Sequence, residues 1–149
     1  MQYQAVVTTE GDATLAQFPD CPGCATFARA PQRIEDVALE ALEGWLMTTL
    51  DAGEVPPRPT FGLNARPPRG AQLLSVRVAP ALAVRIQIRW ARDEQGISQA
   101  ELARRVGVSQ QAIAQFESPD ANLRLDTLER IAAALGLTVD VHLVRESAA

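Results

Sequence analysis

The sequence predicts an α+β fold in two parts. A small N-terminal β-sheet-plus-helix domain comes first, and an all-α domain of short helices ending in a β-strand follows it. Three observations carry this reading. Short segments near both ends of the chain alternate apolar and polar residues. One long apolar stripe at helical spacing follows the first strands. A proline-dense stretch then separates this part from a second series of helical patterns. A chain of 149 residues has room for two small domains, and the expected boundaries are 1–79 and 80–149.

Gln2 to Thr9 alternates around Tyr3, Ala5 and Val7, and the Gly11-Asp12 turn joins it to Ala13–Phe18 as a hairpin. Cys24–Ala28 is a third short strand after the Pro22-Gly23 turn. A helix follows, with Ile34, Val37, Ala38, Ala41, Leu42 and Trp45 on its apolar stripe. Glu35, Asp36, Glu40 and Glu43 take the other side, Pro31 suits its first turn and Gly53 ends it. Residues 54–70, EVPPRPTFGLNARPPRG, hold five of the ten prolines. Repeated X-Pro steps disfavour helix and keep this loop extended. Leu73–Val78 is the fourth strand.

Pro80 fits the first turn of the next helix, whose seam runs through Val84, Ile88 and Ala91. A second seam, Leu82, Ile86 and Trp90, is read first as burial within the same small domain. The alternative is a contact with the N-terminal domain or a second subunit. At the far end, Leu137, Val139, Val141 and Leu143 alternate with Thr138, Asp140 and His142, which predicts a strand over Leu137–Val144. A lone strand needs a partner for its backbone groups. The same strand of another copy supplies one, so these four apolar residues are the expected dimerisation contacts of a homodimer or higher homo-oligomer.

Gly96–Glu117, GISQAELARRVGVSQQAIAQFE, predicts two short helices joined by a tight turn. Ser98 and Glu101 have capping-box spacing. Leu102, Ala103 and Val106 share a face, and the small Ala103 lets a second helix cross closely. Gly107 tolerates the positive φ of the turn, and Ser109 caps the next helix. There Ala112, Ile113 and Phe116 are expected to point inward, leaving Gln110, Gln111, Ala114 and Gln115 on other faces. Gln pairs bidentately with adenine in the major groove, and Ala contacts a thymine methyl. Gln99 opens the preceding helix, where N–H groups meet a phosphate. Arg104 and Arg105 sit together on that helix. The expected DNA-binding residues are therefore Gln99, Arg104, Arg105, Ser109, Gln110, Gln111, Ala114 and Gln115.

From Leu82 to Leu135 the chain resembles the five-helix DNA-binding domain of the lambda-repressor or Cro type, the XRE family. Ile88, Arg92 and SQAELA match its first two helices, VSQQAI and Glu117 its recognition helix, and LDTLERIAAALG its closing helix. Arg124 departs from the Pro-Ser often found before that last helix, although Asp126 still complements the helix dipole.

Composition sets limits on partners. The net charge is −4 and the pI near 5.0, whereas phosphate contacts favour a basic surface. Up to Gly70 there are nine acids and five Arg; after Pro80 there are nine acids and eight Arg. The second half is thus nearly neutral, and a dimer that doubles its contacts reads DNA more plausibly than one copy. The acidic first half suits a basic protein partner, as well as plain solubility. All fourteen basic residues are Arg, a coding bias more than a mechanism. No run is long enough to cross a membrane and no signal pattern opens the chain, so a cytoplasmic protein with no membrane partner is expected.

The first half resembles the HicB antitoxin family, whose fold is partial RNase H-like. The resemblance rests on strand-strand-strand-helix-strand order and on Phe18-Pro19-Asp20-Cys21-Pro22-Gly23-Cys24, similar to the family's FPDxPGC turn. Gln32–Leu46, with Glu35 and Ala38, is similar to its EEA-containing helix, and Val55-Pro56-Pro57-Arg58-Pro59 to the proline-rich segment after it. Cys21 departs from the usual aliphatic residue. The resemblance implies that residues 1–79 bind and occlude a HicA-like toxin, a small basic RNA-cleaving protein. Residues 80–149 would bind operator DNA and repress the operon.

Chemistry is not expected. Cys21 and Cys24 flank a β-turn, and the only histidine, His142, lies far away, so zinc or redox function lacks partners. Glu10, Asp12 and Asp20 lie near turns, and Glu35 and Asp36 lie on a polar helix face; none of these suggests converging two-metal carboxylates. No catalytic residue, metal or cofactor is assigned. Two other functions stay open: a ligand-sensing helix-turn-helix regulator without a toxin, and an RNA-processing enzyme using the RNase H-like half.

Overall fold

The computed structural model describes residues 1–62, 65–118, 122–143 and 145. The first half is a four-stranded antiparallel sheet backed by one helix. Its strands are β1 (Gln2–Glu10), β2 (Ala13–Gln17), β3 (Ala25–Arg29) and β4 (Gln72–Arg77), in the order β3-β2-β1-β4. Glu10 pairs with Ala13 across a two-residue turn in which Gly11 has φ 61, a value that favours glycine. Alternation divides the strands by face. Tyr3, Ala5, Ala16, Ala28 and Val76 are buried under helix α1 (Ile34–Asp51), while Val6, Leu15, Phe27 and Leu73 lie on the opposite face.

Helix α1 buries Ala38, Leu42, Leu46 and Thr49, so the stripe centres one residue beyond Ile34, Val37, Ala41 and Trp45, which are half-buried. Glu35 and Asp36 in its first turn complement the dipole. Pro31 is not in that turn: it lies ahead of the Arg33 N-cap, in a turn where the Gln32 N–H donates to the Arg29 carbonyl at 2.8 Å. Gly53, at φ 75, follows the helix end as expected. Gly44 interrupts the helix at a cost of about 1 kcal/mol relative to Ala. A Cβ there would meet nothing within 4 Å, so packing within the chain does not require glycine.

The proline-rich segment is tied down at several points. The Asp20 carboxylate accepts from Thr60 N–H (3.1 Å), Thr60 Oγ1 (2.9 Å) and Phe61 N–H (3.0 Å). Tyr3 Oη donates to the Pro57 carbonyl at 2.7 Å and Trp90 Nε1 to the Pro56 carbonyl at 2.6 Å. Burial pushes the Tyr3 hydroxyl well above the usual tyrosine range, so it stays a donor.

Four helices follow among the described residues: α2 (Pro80–Glu94), α3 (Gln99–Val106), α4 (Gln110–Glu117) and α5 (Leu125–Ala134). Helix α2 serves two cores. Ile88 and Ala91, with Val84 beside them, pack against Leu102, Ala103, Val106, Ile113, Phe116, Ile131 and Leu135. Leu82, Ala83, Ile86 and Trp90 belong instead to the core of the sheet and α1. This corrects the first reading of the second seam. Periodicity shows that a face is apolar but does not show what covers it.

The expected C-terminal strand is also corrected. Residues 137–143 form neither helix nor strand, and Val144 lies outside the described residues. Leu137, Val141 and Leu143 are exposed, Leu143 at 97%, while Val139 is half-buried. Among the described residues no strand pairs with this segment. Among the described residues no helix is long and apolar enough to cross a membrane.

Candidate nucleic-acid interface

The α3–turn–α4 geometry follows from local chemistry. Ser98 Oγ accepts from the Glu101 N–H at 3.1 Å, and Ser109 Oγ accepts from the Ala112 N–H at the same distance. Gly107 closes α3 at φ 76 in the left-handed region, and its N–H bonds the Ala103 carbonyl. Leu102, Ala103 and Val106 are buried against Ile113 and Phe116. Arg130 from α5 donates to the Val106 carbonyl at 2.8 Å, which ties the closing helix to the end of α3.

Helix α4 presents Gln110, Gln111, Ala114 and Gln115 to solvent, with Ser109 exposed at its start. Gln110, Gln111 and Ala114 line one surface depression. Two glutamine amides and a methyl group thus face outward from the helix N-terminus, where backbone N–H groups also favour a phosphate. Ala112, expected inside, is exposed as well. Ile113 and Phe116 already fill the inward direction, and a residue one step before Ile113 turns outward.

Three expected contacts are differently engaged. Gln99 Nε2 donates to Glu117 Oε2 at 2.8 Å. Glu117 is itself buried in a two-point ion pair with Arg92 (Nε to Oε1 2.9 Å, Nη2 to Oε2 3.1 Å), and Arg92 Nη1 donates to the Ile97 carbonyl at 3.0 Å. One end of the Gln99 amide therefore braces α3 against α4. Arg104 and Arg105 both pair with Glu101, Arg105 at 2.9 Å. Glu101 does not return the capping-box bond to Ser98. Its carboxylate faces two guanidinium groups at i+3 and i+4, and charge-assisted bonds are the stronger option. A phosphate would compete with that carboxylate.

The positions weighed for chemistry have structural partners. The Cys24 N–H donates to the Cys21 carbonyl at 2.9 Å across Pro22-Gly23, with Gly23 at φ 83, a turn with proline then glycine at its centre. Both thiols are buried. Burial first, and then the charges of Cys24 and Asp20, raises Cys21 to about 12; burial raises Cys24 to about 11. Asp20 holds the proline-rich segment, Glu35 pairs with Arg33, and His142 pairs with Asp140 at the surface. Among the described residues, no group of three His, Cys, Asp or Glu stands close enough to hold a metal. The Asp20 clamp spans forty residues of chain, and no local pattern signals it.

Residues 88–142 match the family model described as Helix-turn-helix. The match runs from the middle of α2 past the end of α5, so this part of the chain is a helix-turn-helix domain, with α3 and α4 as two of its helices. No curated protein matches the chain. Similar solved structures include a HicA3 and HicB3 toxin-antitoxin complex, with a TM-score of 0.43 and 21% identity over 54% of this chain and 100% of that one. Another is a toxin-antitoxin module from Streptococcus pneumoniae, with a TM-score of 0.39 and 37% identity over 44% of this chain and 71% of that one.

Proposed function

We propose that this protein is an antitoxin and transcriptional autorepressor. Its sheet-plus-helix unit, residues 1–79, binds and occludes a small, basic, RNA-cleaving toxin of the HicA kind. Its helix-turn-helix unit, residues 80–149, binds the operator of the operon encoding both. The mechanism is stoichiometric masking without turnover. One observation carries the reading: an outward-facing recognition helix shares a chain with a sheet whose FPDCPGC turn is bonded through Asp20 to the proline-rich segment. Those two segments, with the Gln32–Leu46 helix and the order of the elements, are what resembles the HicB family.

At the interface, Gln110, Gln111, Ala114 and Gln115 read base edges, while Gln99, Ser109, Arg104 and Arg105 contact phosphate. Two copies joined through Leu137, Val139, Val141 and Leu143 place two recognition helices on one duplex. Doubling the contacts also compensates for the lack of a basic surface on a single copy. The test is co-purification with the short basic product of the adjacent reading frame, followed by gel shift on the DNA upstream. Capture of that product together with a shift is expected. Failure of both would remove the reading.

A ligand-sensing regulator is a second reading, favoured by one cavity. A space of about 560 Å³ lies between the Phe18–Ala25 turn and Phe61, Arg66 and Pro68, a size that suits a small molecule. A regulator of this kind would bind no adjacent gene product, and operator binding would change with a metabolite.

A further inference from the structure

A groove against α1 opens where β3 begins, and nothing described above accounts for it. β3 is an outer strand: it pairs with β2 on one side and with no strand among the described residues on the other. Its sequence, ATFAR, contains no proline, and its one charged side chain, Arg29, sits at the last position. At the start of this strand, where Ala25 lies, a groove of about 490 Å³ opens against α1, and its lining includes Gly23, Ala25, Ala41, Gly44, Trp45 and Thr48. The small residues keep it open, and half-buried Trp45 offers an apolar wall.

Two further observations select the occupant. Gly44 weakens α1 although, among the described residues, nothing packs within 4 Å of where its Cβ would be. A glycine at such a position leaves room for something outside the chain to approach the helix backbone. The solvent side of the groove is acidic. Glu40 and Asp51 lie on the helix stripe that runs through Gly44 and Thr48, and Glu54 lines the groove itself. Among the described residues these three carboxylates take part in no ion pair.

From this geometry we infer that an extended segment of a basic protein partner adds as a fifth strand to the free edge of β3, seating its side chains over Gly44. Main-chain bonds supply affinity, the groove selects small or apolar side chains, and the acidic lip selects basic flanks. The inference rests on the antitoxin reading and names the surface through which that reading operates.

The test uses the full chain and the purified product of the adjacent reading frame. Gly44→Leu fills the groove; a Cβ there meets nothing within 4 Å, and a helix interior favours leucine over glycine. Binding is expected to weaken about a hundredfold, with circular dichroism and operator gel shift unchanged. Glu40→Arg/Asp51→Arg should weaken it as well, and bound partner should protect the Ala25–Arg29 amides from hydrogen exchange. Phe27→Ser, on the opposite face of the sheet, should leave binding intact. Wild-type binding with unaffected Gly44→Leu and unprotected β3 amides would overturn the docking site alone. No wild-type binding would overturn the antitoxin reading and the docking site with it. If Gly44→Leu instead dissociated a homo-oligomer of the free chain, the occupant would be a second copy and the inference would fall.

Discussion

Arg92 and Glu117 form a buried two-point ion pair that joins α2 to the end of α4. Both side chains are 9% exposed. Gln99 shares the Glu117 carboxylate, and the Ile97 carbonyl takes a further Arg92 N–H. The pair therefore fixes the end of α4 against α2 and, through Gln99, against the start of α3.

Removing one partner leaves the other charge buried. Glu117→Ala is expected to lose about 3–5 kcal/mol of stability. The double variant Glu117→Leu/Arg92→Leu should lose less, because no orphan charge remains. Urea unfolding of the two variants and wild type measures the difference. An equal loss in both would mean that packing, and not charge pairing, dominates the site.

Trp90 anchors α2 in the first core while Ile88 and Ala91 anchor it in the second. Trp90→Phe keeps most of the ring and removes the donor to the Pro56 carbonyl. It should cost about 1–3 kcal/mol, read by urea unfolding, and should raise proteolytic nicking within residues 54–62. Unchanged stability would show that the Trp90–Pro56 bond contributes little.

Cys21 and Cys24 give a pH dependence with a definite sign. Folding raises both thiols from 9.0 to about 12 and about 11. The native state thus holds protons that the unfolded chain releases. The resulting stability is complete below about pH 9 and is lost as pH rises towards 11–12. Cys21→Ala/Cys24→Ala should flatten the alkaline limb of a stability–pH curve. At pH 8 the wild-type thiols should react with a thiol reagent only after denaturant is added; fast labelling of the folded chain would contradict their burial.

The C-terminal segment is exposed and apolar by alternation. Val141→Glu/Leu143→Glu is expected to convert a dimer to a monomer in sedimentation, with an unchanged circular dichroism spectrum. Operator affinity should fall with it. A variant that stays dimeric would place the contact elsewhere.

What could be read from the sequence depended on the range of the interaction. Ser98, Gly107 and Ser109 act on residues within one turn, so the α3–turn–α4 unit was legible from spacing alone. The Gly11-Asp12 hairpin was legible for the same reason. The Arg104–Glu101 and Arg105–Glu101 pairs sit at i+3 and i+4 spacing, a signal that was there to be used. The cover of Leu82, Ile86 and Trp90 was not legible, because an amphipathic pattern is the same whichever core receives it. Neither was the Asp20–Thr60 clamp or the turning of Gln99 towards Glu117, since each depends on tertiary approach. Leu137–Leu143 has strand periodicity without a ladder, since pairing requires a second chain or segment that periodicity does not supply.

The central claim is that one part of the polypeptide reads a duplex while the other holds a protein. The most direct measurement is a paired readout on Gln110→Ala/Gln111→Ala: operator affinity by gel shift and capture of the adjacent gene product by co-purification. The account predicts that operator affinity falls by about 1–3 kcal/mol for each lost base contact while capture is unchanged. Loss of both activities in a folded variant, or of neither, would contradict it.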